Sequence, residues 1–423
     1  MKKILALVAI LFILFLALVY WSVSSTDKEF KTCKIQNYED LETVNFREHD
    51  SVLLAPSTLY EGDILKEFMQ GKNYREAWST PVKVPIAFLD TLEGGVKIVK
   101  EGGGKQTNSL KLKSQDGIMY TLRSVTKDPK KLIPEVAEDL GLENIIVDGI
   151  SAQHPFGAIL AAKLSEIAGV LHTHPTMYFI PKQEKLGEYN DKYGNRLYLL
   201  EYETESDKNW TSYENVDEIV ETNDLQELKQ KKGDDLSIDR PALVKARLFD
   251  LLIGDWDRHA EQWGWVLVKD KQKIKAIPLA GDRDNAFFNL SGIIPSILTN
   301  ENVQPLVRPF EKEIDYMPGL VYPFDRYFLI DTPKEIYIEQ AKQLQESLSD
   351  KAIEEAFQVW PKQISKLDQA EISEKIKGRR DDLVEYAEAF HRLIQKKGKL
   401  TEPLKGSEDE EIDDKLIPCF ECK

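Results

Sequence analysis

Cysteine is scarce, with three in 423 residues. That excludes a fold held by a disulfide framework. Cys419-Phe420-Glu421-Cys422 has redox or metal spacing, but a lone pair cannot close a tetrahedral zinc site, and no histidine lies near it in sequence. The plain reading is an exposed tail whose thiols pair with each other or with Cys33 in an oxidising compartment. An excess of basic charge is also missing. With 56 Lys and Arg against 72 Asp and Glu, the net charge is −16, which excludes a surface built to neutralise nucleic-acid phosphates. Part of that negative balance sits in Glu408-Asp409-Glu410-Glu411 with Asp413 and Asp414, a run that reads as solvated tail. No repeat and no extended low-complexity segment occurs.

What is present begins at the N-terminus. Met1-Lys2-Lys3 precedes an apolar run from Ile4 to Trp21 that no charge interrupts. The run is near the lower limit for crossing a bilayer and longer than the usual signal-peptide core. Lysines before it place the N-terminus in the cytoplasm and the remaining chain outside. An uncleaved single-pass anchor is the expectation; a cleaved signal peptide is the alternative, since Ser22-Val23-Ser24-Ser25 offers small residues to a peptidase. No cysteine directly follows the run, which argues against a lipoprotein anchor.

The length fits a two-lobed unit with additions. Segments are expected at 1–25 (anchor or signal), 26–95 (accessory lead-in), 96–203 (small lobe and hinge), 204–330 (large lobe), 331–400 (helical extension) and 401–423 (acidic tail). Glu101-Gly102-Gly103-Gly104-Lys105-Gln106-Thr107 leads into Ser109–Lys113, Asp116-Gly117 marks a hairpin turn, and Tyr120–Val125 alternates again as a strand. Glycine lets backbone N–H groups approach phosphates, so Gly103 and Gly104 are candidate nucleotide contacts, with Arg123 or Lys127 as the cation. A plain β-hairpin and solvated strand charges explain the same residues. Pro155 to Gly169 reads as a helix with one apolar face, entered through His154-Pro155. Met177–Pro181 and Leu197–Glu201 read as buried strands, and Glu201-Tyr202-Glu203 falls where a hinge would lie. Lys229 to Asp235 reads as a surface connection. Asp239, with Pro241 just inside, opens a strong helix to Ile253. Pro333 to Lys396 is helical, broken at Trp360-Pro361, with Arg379-Arg380-Asp381-Asp382 on a polar face.

The most informative stretch runs from Leu248 through Gly254-Asp255-Trp256-Asp257-Arg258-His259-Ala260-Glu261-Gln262-Trp263. It is a helix entering a loop dense in carboxylate, imidazole and amide groups. Ala280-Gly281-Asp282-Arg283-Asp284-Asn285-Ala286-Phe287 follows at the end of an apolar strand. Mg²⁺-dependent phosphoryl transfer needs such a pair: one loop for a base and a metal ligand, one strand end for a second metal ligand.

Asp257-Arg258-His259 with an amide at Gln262 resembles the D-R-H-x-x-N catalytic loop of phosphatidylinositol kinases. It also resembles the loops of secretory-pathway casein-kinase-like enzymes and of HipA and CotH kinases. Asp284-Asn285-Ala286-Phe287 resembles the D-N-G motif of the secretory kinases. Residues 50 to 395 further resemble a bacterial family, often fused to calcineurin-type phosphoesterases, in which G-G-G-x-Q-T, L-R-S-V-x-K, G-D-W-D-R-H-x-x-Q-W and D-R-D-x-A-F occur together. The resemblance implies an α+β, two-lobed atypical protein-kinase-like fold with a helical C-terminal extension, preceded by one transmembrane helix. It implies Asp257 as the base, His259 as a loop brace, and Gln262 and Asp284 as metal ligands with Asp282 assisting. Arg123 would stand where those kinases use lysine, with ATP or another nucleoside triphosphate and Mg or Mn as cofactors. Gln for Asn lengthens a ligand, and Arg for Lys replaces a point charge with a planar fork. The apolar face of the 155–169 helix carries no acid, so Glu135 and Glu138 are considered as the cation's partner. Three functions compete: a kinase acting on a protein, lipid or glycan hydroxyl, a pseudokinase regulator or scaffold, and a metal-dependent hydrolase using Asp255, Asp257, His259, Asp282 and Asp284. Arg258 and Arg283, placed inside both acidic clusters, weaken the last.

Overall fold

A computed structural model describes the chain apart from residues 27–32, 39, 104–106, 129–132, 134, 406–411 and 423, and apart from the side chain of Val136. Gly104 and the acidic run 408–411 therefore lie outside the described residues. The fold is mixed α+β with open sheets. Its strands are β1 (Lys34–Ile35), β2 (Ser51–Ala55), β3 (Val82–Pro85), β4 (Val96–Gly102), β5 (Ser109–Ser114), β6 (Met119–Ser124), β7 (Thr176–Ile180), β8 (Arg196–Tyr202), β9 (Val216–Glu221), β10 (Leu236–Ile238), β11 (Trp263–Asp270) and β12 (Lys273–Ala280). They pair as β1-β2-β3, β4-β5-β6-β8-β7 and β10-β12-β11-β9.

The five-stranded sheet is antiparallel throughout. Gly117 takes φ +89° between β5 and β6, the left-handed conformation that an Asp-Gly turn supplies. Period-two alternation divides its faces. Leu110, Leu112, Tyr120, Leu122, Tyr198 and Leu200 bury together with Leu89 and Tyr193 in a core of their own. The opposite face carries Lys111, Thr121 and Glu201 in one cross-strand row and Ser109, Arg123 and Leu199 in the next. That polar row is one wall of the candidate site.

The four-stranded sheet supplies the other wall. β11 and β12 pair from Trp263↔Ala280 to Asp270↔Lys273, and β10 joins β12 in parallel. Trp263 and Trp265 are buried against Phe324 and Phe328, with ring centroids 5.0 Å and 4.8 Å apart for Trp263–Phe324 and Trp265–Phe328. The helix Arg240–Ile253 starts as its sequence dictates. Asp239 accepts the Ala242 N–H at 3.0 Å, Pro241 occupies the first turn, and Gly254 closes the end at φ +68°. The expected 155–169 helix is found at Gly157–Ala168 with Gly169 as its left-handed cap.

Several expectations need correction. Residues 33–95, most of the expected accessory lead-in, are built into the fold. They form the β1-β2-β3 sheet, and Tyr60, Tyr74 and Trp78 are buried in the main core. Tyr74 donates to the Phe287 carbonyl at 2.5 Å, and Trp78 to the Gln153 carbonyl at 2.8 Å. Lys229 belongs to a helix, Thr222–Lys232, rather than to a surface connection. The C-terminal helices Lys334–Ser347, Asp350–Ala356, Lys362–Asp381 and Leu383–Lys397 do break at Trp360-Pro361. Arg379, however, is buried, donating to the Leu251 and Glu311 carbonyls at 2.7 Å and 2.6 Å. The final residues are not an exposed tail. Cys419 forms a disulfide with Cys422, and Cys419 and Phe420 pack into the main core. Cys33 stays a free, buried thiol, its pKa pushed up to about 12 by burial.

The apolar N-terminal run is a helix, Lys2–Ser22, exposed along most of its length. Its C-terminal end packs through Phe15, Leu18 and Val19 against Leu65, Met69, Ile293 and Ile294.

Candidate functional site

The last turn of the Arg240–Ile253 helix places Asp250 in the core, and three arginines converge on it. Arg247 donates at 2.9 Å and Arg283 at 3.1 Å, and the Arg258 Nε lies 3.2 Å from Oδ2. Burial opposes ionisation of Asp250, but Arg258, Arg283 and Arg247 hold its carboxyl below the usual range. Arg258 is fully buried and lies over the Trp263 ring, 4.7 Å from its centroid. It donates to the Gly281 carbonyl at 2.7 Å and to the Gln262 amide oxygen at 3.1 Å. The arginines of both motifs therefore turn inward and tie the 255–262 loop to the end of β12. Asp255, also buried, has its carboxyl pushed well above the ordinary range by burial, which Arg258 opposes and Asp250 reinforces.

The remaining carboxylates of these motifs meet cations from the five-stranded sheet. Arg123 donates to Asp282 at 2.7 Å, with its Nε 3.4 Å from Glu201. Lys127, just beyond β6, donates to Asp284 at 2.9 Å. Thr173 donates to Glu201 at 2.6 Å, and Lys111 to Glu203 at 2.9 Å. Burial raises Asp284, but Lys127 and then Arg123 outweigh it and leave the carboxyl below its usual value. Asp257 is half-buried and shifts upward. Burial is the main cause, with His259 opposing, Asp282 reinforcing, and Arg258 and Lys127 opposing. Lys127 is ion-paired with Asp284, and its charge also acts on Asp257. Glu201 is raised to about 7 by burial, against Arg123 and with Asp284 and Asp282 adding.

Apart from Gly104, which lies outside the described residues, each expected site residue has a definite place. Asp257, Asp282, Asp284, Arg123, Lys127 and Glu201 are brought together. Gln262 is buried with its amide oxygen on Arg258, not facing the carboxylates as a free ligand. His259 is half-exposed, its Nδ1 3.5 Å from Glu261. Gly103 directly follows β4 at φ +116°, where a Cβ would come within 2.3 Å of the Thr107 carbonyl. The adjoining pair Gly102↔Ser109 lies level with Arg123. Asp282 at 2.7 Å and Glu201 at 3.4 Å, rather than Glu135 or Glu138, are the carboxylates paired with Arg123; β8 ends at Tyr202, within the segment expected as a hinge. Asp282 adopts φ +48°, a conformation that aspartate tolerates better than most residues.

Sequence reasoning missed Asp250 and Thr173. Asp250 lies on an apolar helix three residues after Arg247, a spacing that marks an internal pair. Thr173 carries no local signal, since its partner is 28 residues away.

No family model and no curated protein matches the chain. Among solved structures it is similar to the Helicobacter pylori proinflammatory kinase CtkA, at 13% identity and TM-score 0.35, covering 70% of this chain and 96% of that one. It is also similar to the Shewanella oneidensis HipA of a complex with HipB and operator DNA, at 12% identity and TM-score 0.31, covering 75% and 68% respectively. These likenesses are loose, and a functional reading has to rest on the residues of the cleft.

Proposed function

We propose that this chain is a membrane-anchored atypical kinase with a two-lobed, kinase-like arrangement, transferring a phosphoryl group to a hydroxyl of a protein, lipid or glycan outside the cytoplasm. The observation that carries this reading is the Lys127–Asp284 ion pair: a cation just beyond β6 meets an ionised carboxylate just beyond β12, and Asp257, on the neighbouring loop, feels the same lysine. Lys127 and Arg123 are placed to hold phosphate oxygens. Asp284, already ionised, and Asp282 are hard oxygen ligands of the type Mg²⁺ or Mn²⁺ takes. A bound nucleoside triphosphate with its metal would supply the phosphoryl group and neutralise charge on it. Asp257, raised by burial, suits a group that orients an acceptor hydroxyl and takes its proton. The quartet of sequence motifs supports membership of the calcineurin-associated bacterial family on the same residues.

A pseudokinase is the second reading, and one observation favours it. Gln262, Asp282 and Asp284 are each already engaged, by Arg258, Arg123 and Lys127. The two readings separate in one assay of wild type, Asp257→Asn and Asp284→Asn, measuring phosphoryl transfer beside nucleotide–Mn²⁺ affinity. In a kinase Asp257→Asn loses transfer by at least about a hundredfold yet keeps nucleotide binding, because general-base catalysis contributes roughly 10²–10⁴-fold. Asp284→Asn weakens both. Nucleotide binding without transfer in the wild type selects the pseudokinase. Equal activity in wild type and Asp257→Asn removes Asp257 from the reaction.

A further inference from the structure

At the edge of the cleft, the chain leaves the Gly157–Ala168 helix through Gly169 and enters Leu171-His172-Thr173-His174-Pro175. His172 is 4% exposed, and its Nδ1 lies 3.1 Å from the Val170 carbonyl. A carbonyl only accepts, so Nδ1 carries the hydrogen and Nε2 the lone pair. That Nε2 is buried and has no hydrogen-bond partner among the described residues. Leaving such an acceptor unsatisfied costs about 1–3 kcal/mol. Donation of the second ring N–H to a backbone carbonyl is also how metal-binding histidines are oriented.

Two further ligand groups stand beside this imidazole. His174 is exposed, its ring centroid 4.1 Å from that of His172, on a backbone held at φ +53°. Glu166, exposed near the end of the preceding helix, completes the group. One ligand atom from each of the three lies within 4.8 Å of the others. Among the cations around it, Lys163 pairs with Glu166 at 2.7 Å, an exposed and weak pair, Arg283 pairs with Asp250 at 3.0 Å, and the Lys245 ammonium lies beside Gly169.

We propose that Glu166, His172 and His174 form a transition-metal site of the zinc class, at the edge of the Asp257–Asp284 cleft. Imidazole ligands select zinc and its neighbours over Mg²⁺ and Ca²⁺, which take oxygen. Two nitrogens and one carboxylate oxygen leave a fourth position for water or a further ligand. The site has a direct route to the cleft. Thr173, between the histidines, donates to Glu201 at 2.6 Å, and its carbonyl accepts the Tyr202 N–H at 3.0 Å. His172 bridges Ala280, two residues before Asp282. A bound metal would hold this segment at the junction of the two walls.

The test uses full-length protein in detergent, with Zn²⁺ and Co²⁺ alone as probes and bound metal measured by mass spectrometry and by the Co²⁺ visible bands. The expected result is about one zinc per chain with tetrahedral Co²⁺ absorption. His174→Ala and Glu166→Ala, both at exposed positions, should weaken binding more than about tenfold without changing the metal-free melting temperature. Asp284→Asn should bind zinc as wild type does. The proposal is overturned if wild type takes up no zinc at micromolar concentration, if His174→Ala binds as tightly, or if Asp284→Asn abolishes uptake.

Discussion

Glu201 is pulled in two directions. Burial resists its negative charge while Arg123 favours it, and burial wins, raising the group from 4.5 to about 7. Between those values the folded state binds more protons than the unfolded one. The stability this contributes is fully present below pH 4.5 and is lost as pH rises through 7. Glu201→Gln keeps an amide oxygen for Thr173 and removes the titration. Wild type should lose stability relative to Glu201→Gln on going from pH 5 to pH 8, by on the order of 3 kcal/mol. Urea unfolding of both proteins across that range measures it; parallel stability curves would mean that Glu201 is already ionised at the low end. At this scale the sequence was readable for acids and opaque for arginines. Asp257 and Asp284 declare themselves in motifs. Whether Arg258, Arg283 and Arg379 face water or the core depends on Asp250 and on the Leu251 and Glu311 carbonyls, which are brought to them only by folding.

Among the elements, the helix Arg240–Ile253 and its exit decide where Asp257 stands. Gly254 has two separate reasons to be glycine. Its φ is +68°, and a Cβ there would lie 2.4 Å from the Phe310 ring. Left-handed backbone costs an L-residue about 1–2 kcal/mol, and overpacking a core adds about 1–3 kcal/mol. Gly254→Ala should therefore destabilise by about 2–5 kcal/mol and lower any activity that depends on Asp257, as read by denaturant unfolding and by the transfer assay. An unchanged midpoint would show that Phe310 moves aside freely. This element was legible beforehand because its cap, its proline and its closing glycine are all local signals. The β5–β6 hairpin was legible for the same reason, through Asp116-Gly117. The β1-β2-β3 sheet was not: its strands are short, and β2 and β3 are held in place by pairing across a 26-residue gap rather than by a turn. The His172-Thr173-His174 triplet went unread in the sequence, because only the Val170 carbonyl and Glu166 give it a meaning.

For the molecule as a whole, the helix Lys2–Ser22 raises the question of where the domain sits. A cleaved signal peptide has no reason to fit the mature fold, whereas here Phe15, Leu18 and Val19 meet the helices Ile64–Gln70 and Ile293–Leu298. Those two helices also turn apolar residues outward: Ile64 is 88% exposed, Phe68 63% and Ile297 56%. Water does not favour such a patch, and its position at the foot of the apolar helix matches a domain resting on a bilayer. The uncleaved anchor is therefore the reading to test. Full-length protein should remain with membranes after carbonate washing, and its C-terminal domain should be digested by protease added from outside. Its N-terminus, sequenced from the membrane fraction, should begin at Met1 or Lys2. Phe68→Glu should leave carbonate-resistant attachment intact, because the anchor provides it, while making protease cleavage near residue 68 faster as the patch lifts from the lipid. A soluble product beginning near Ser25 would identify a signal peptide instead, and would leave Ile64, Phe68 and Ile297 to be covered by something other than the membrane that the anchor reaches.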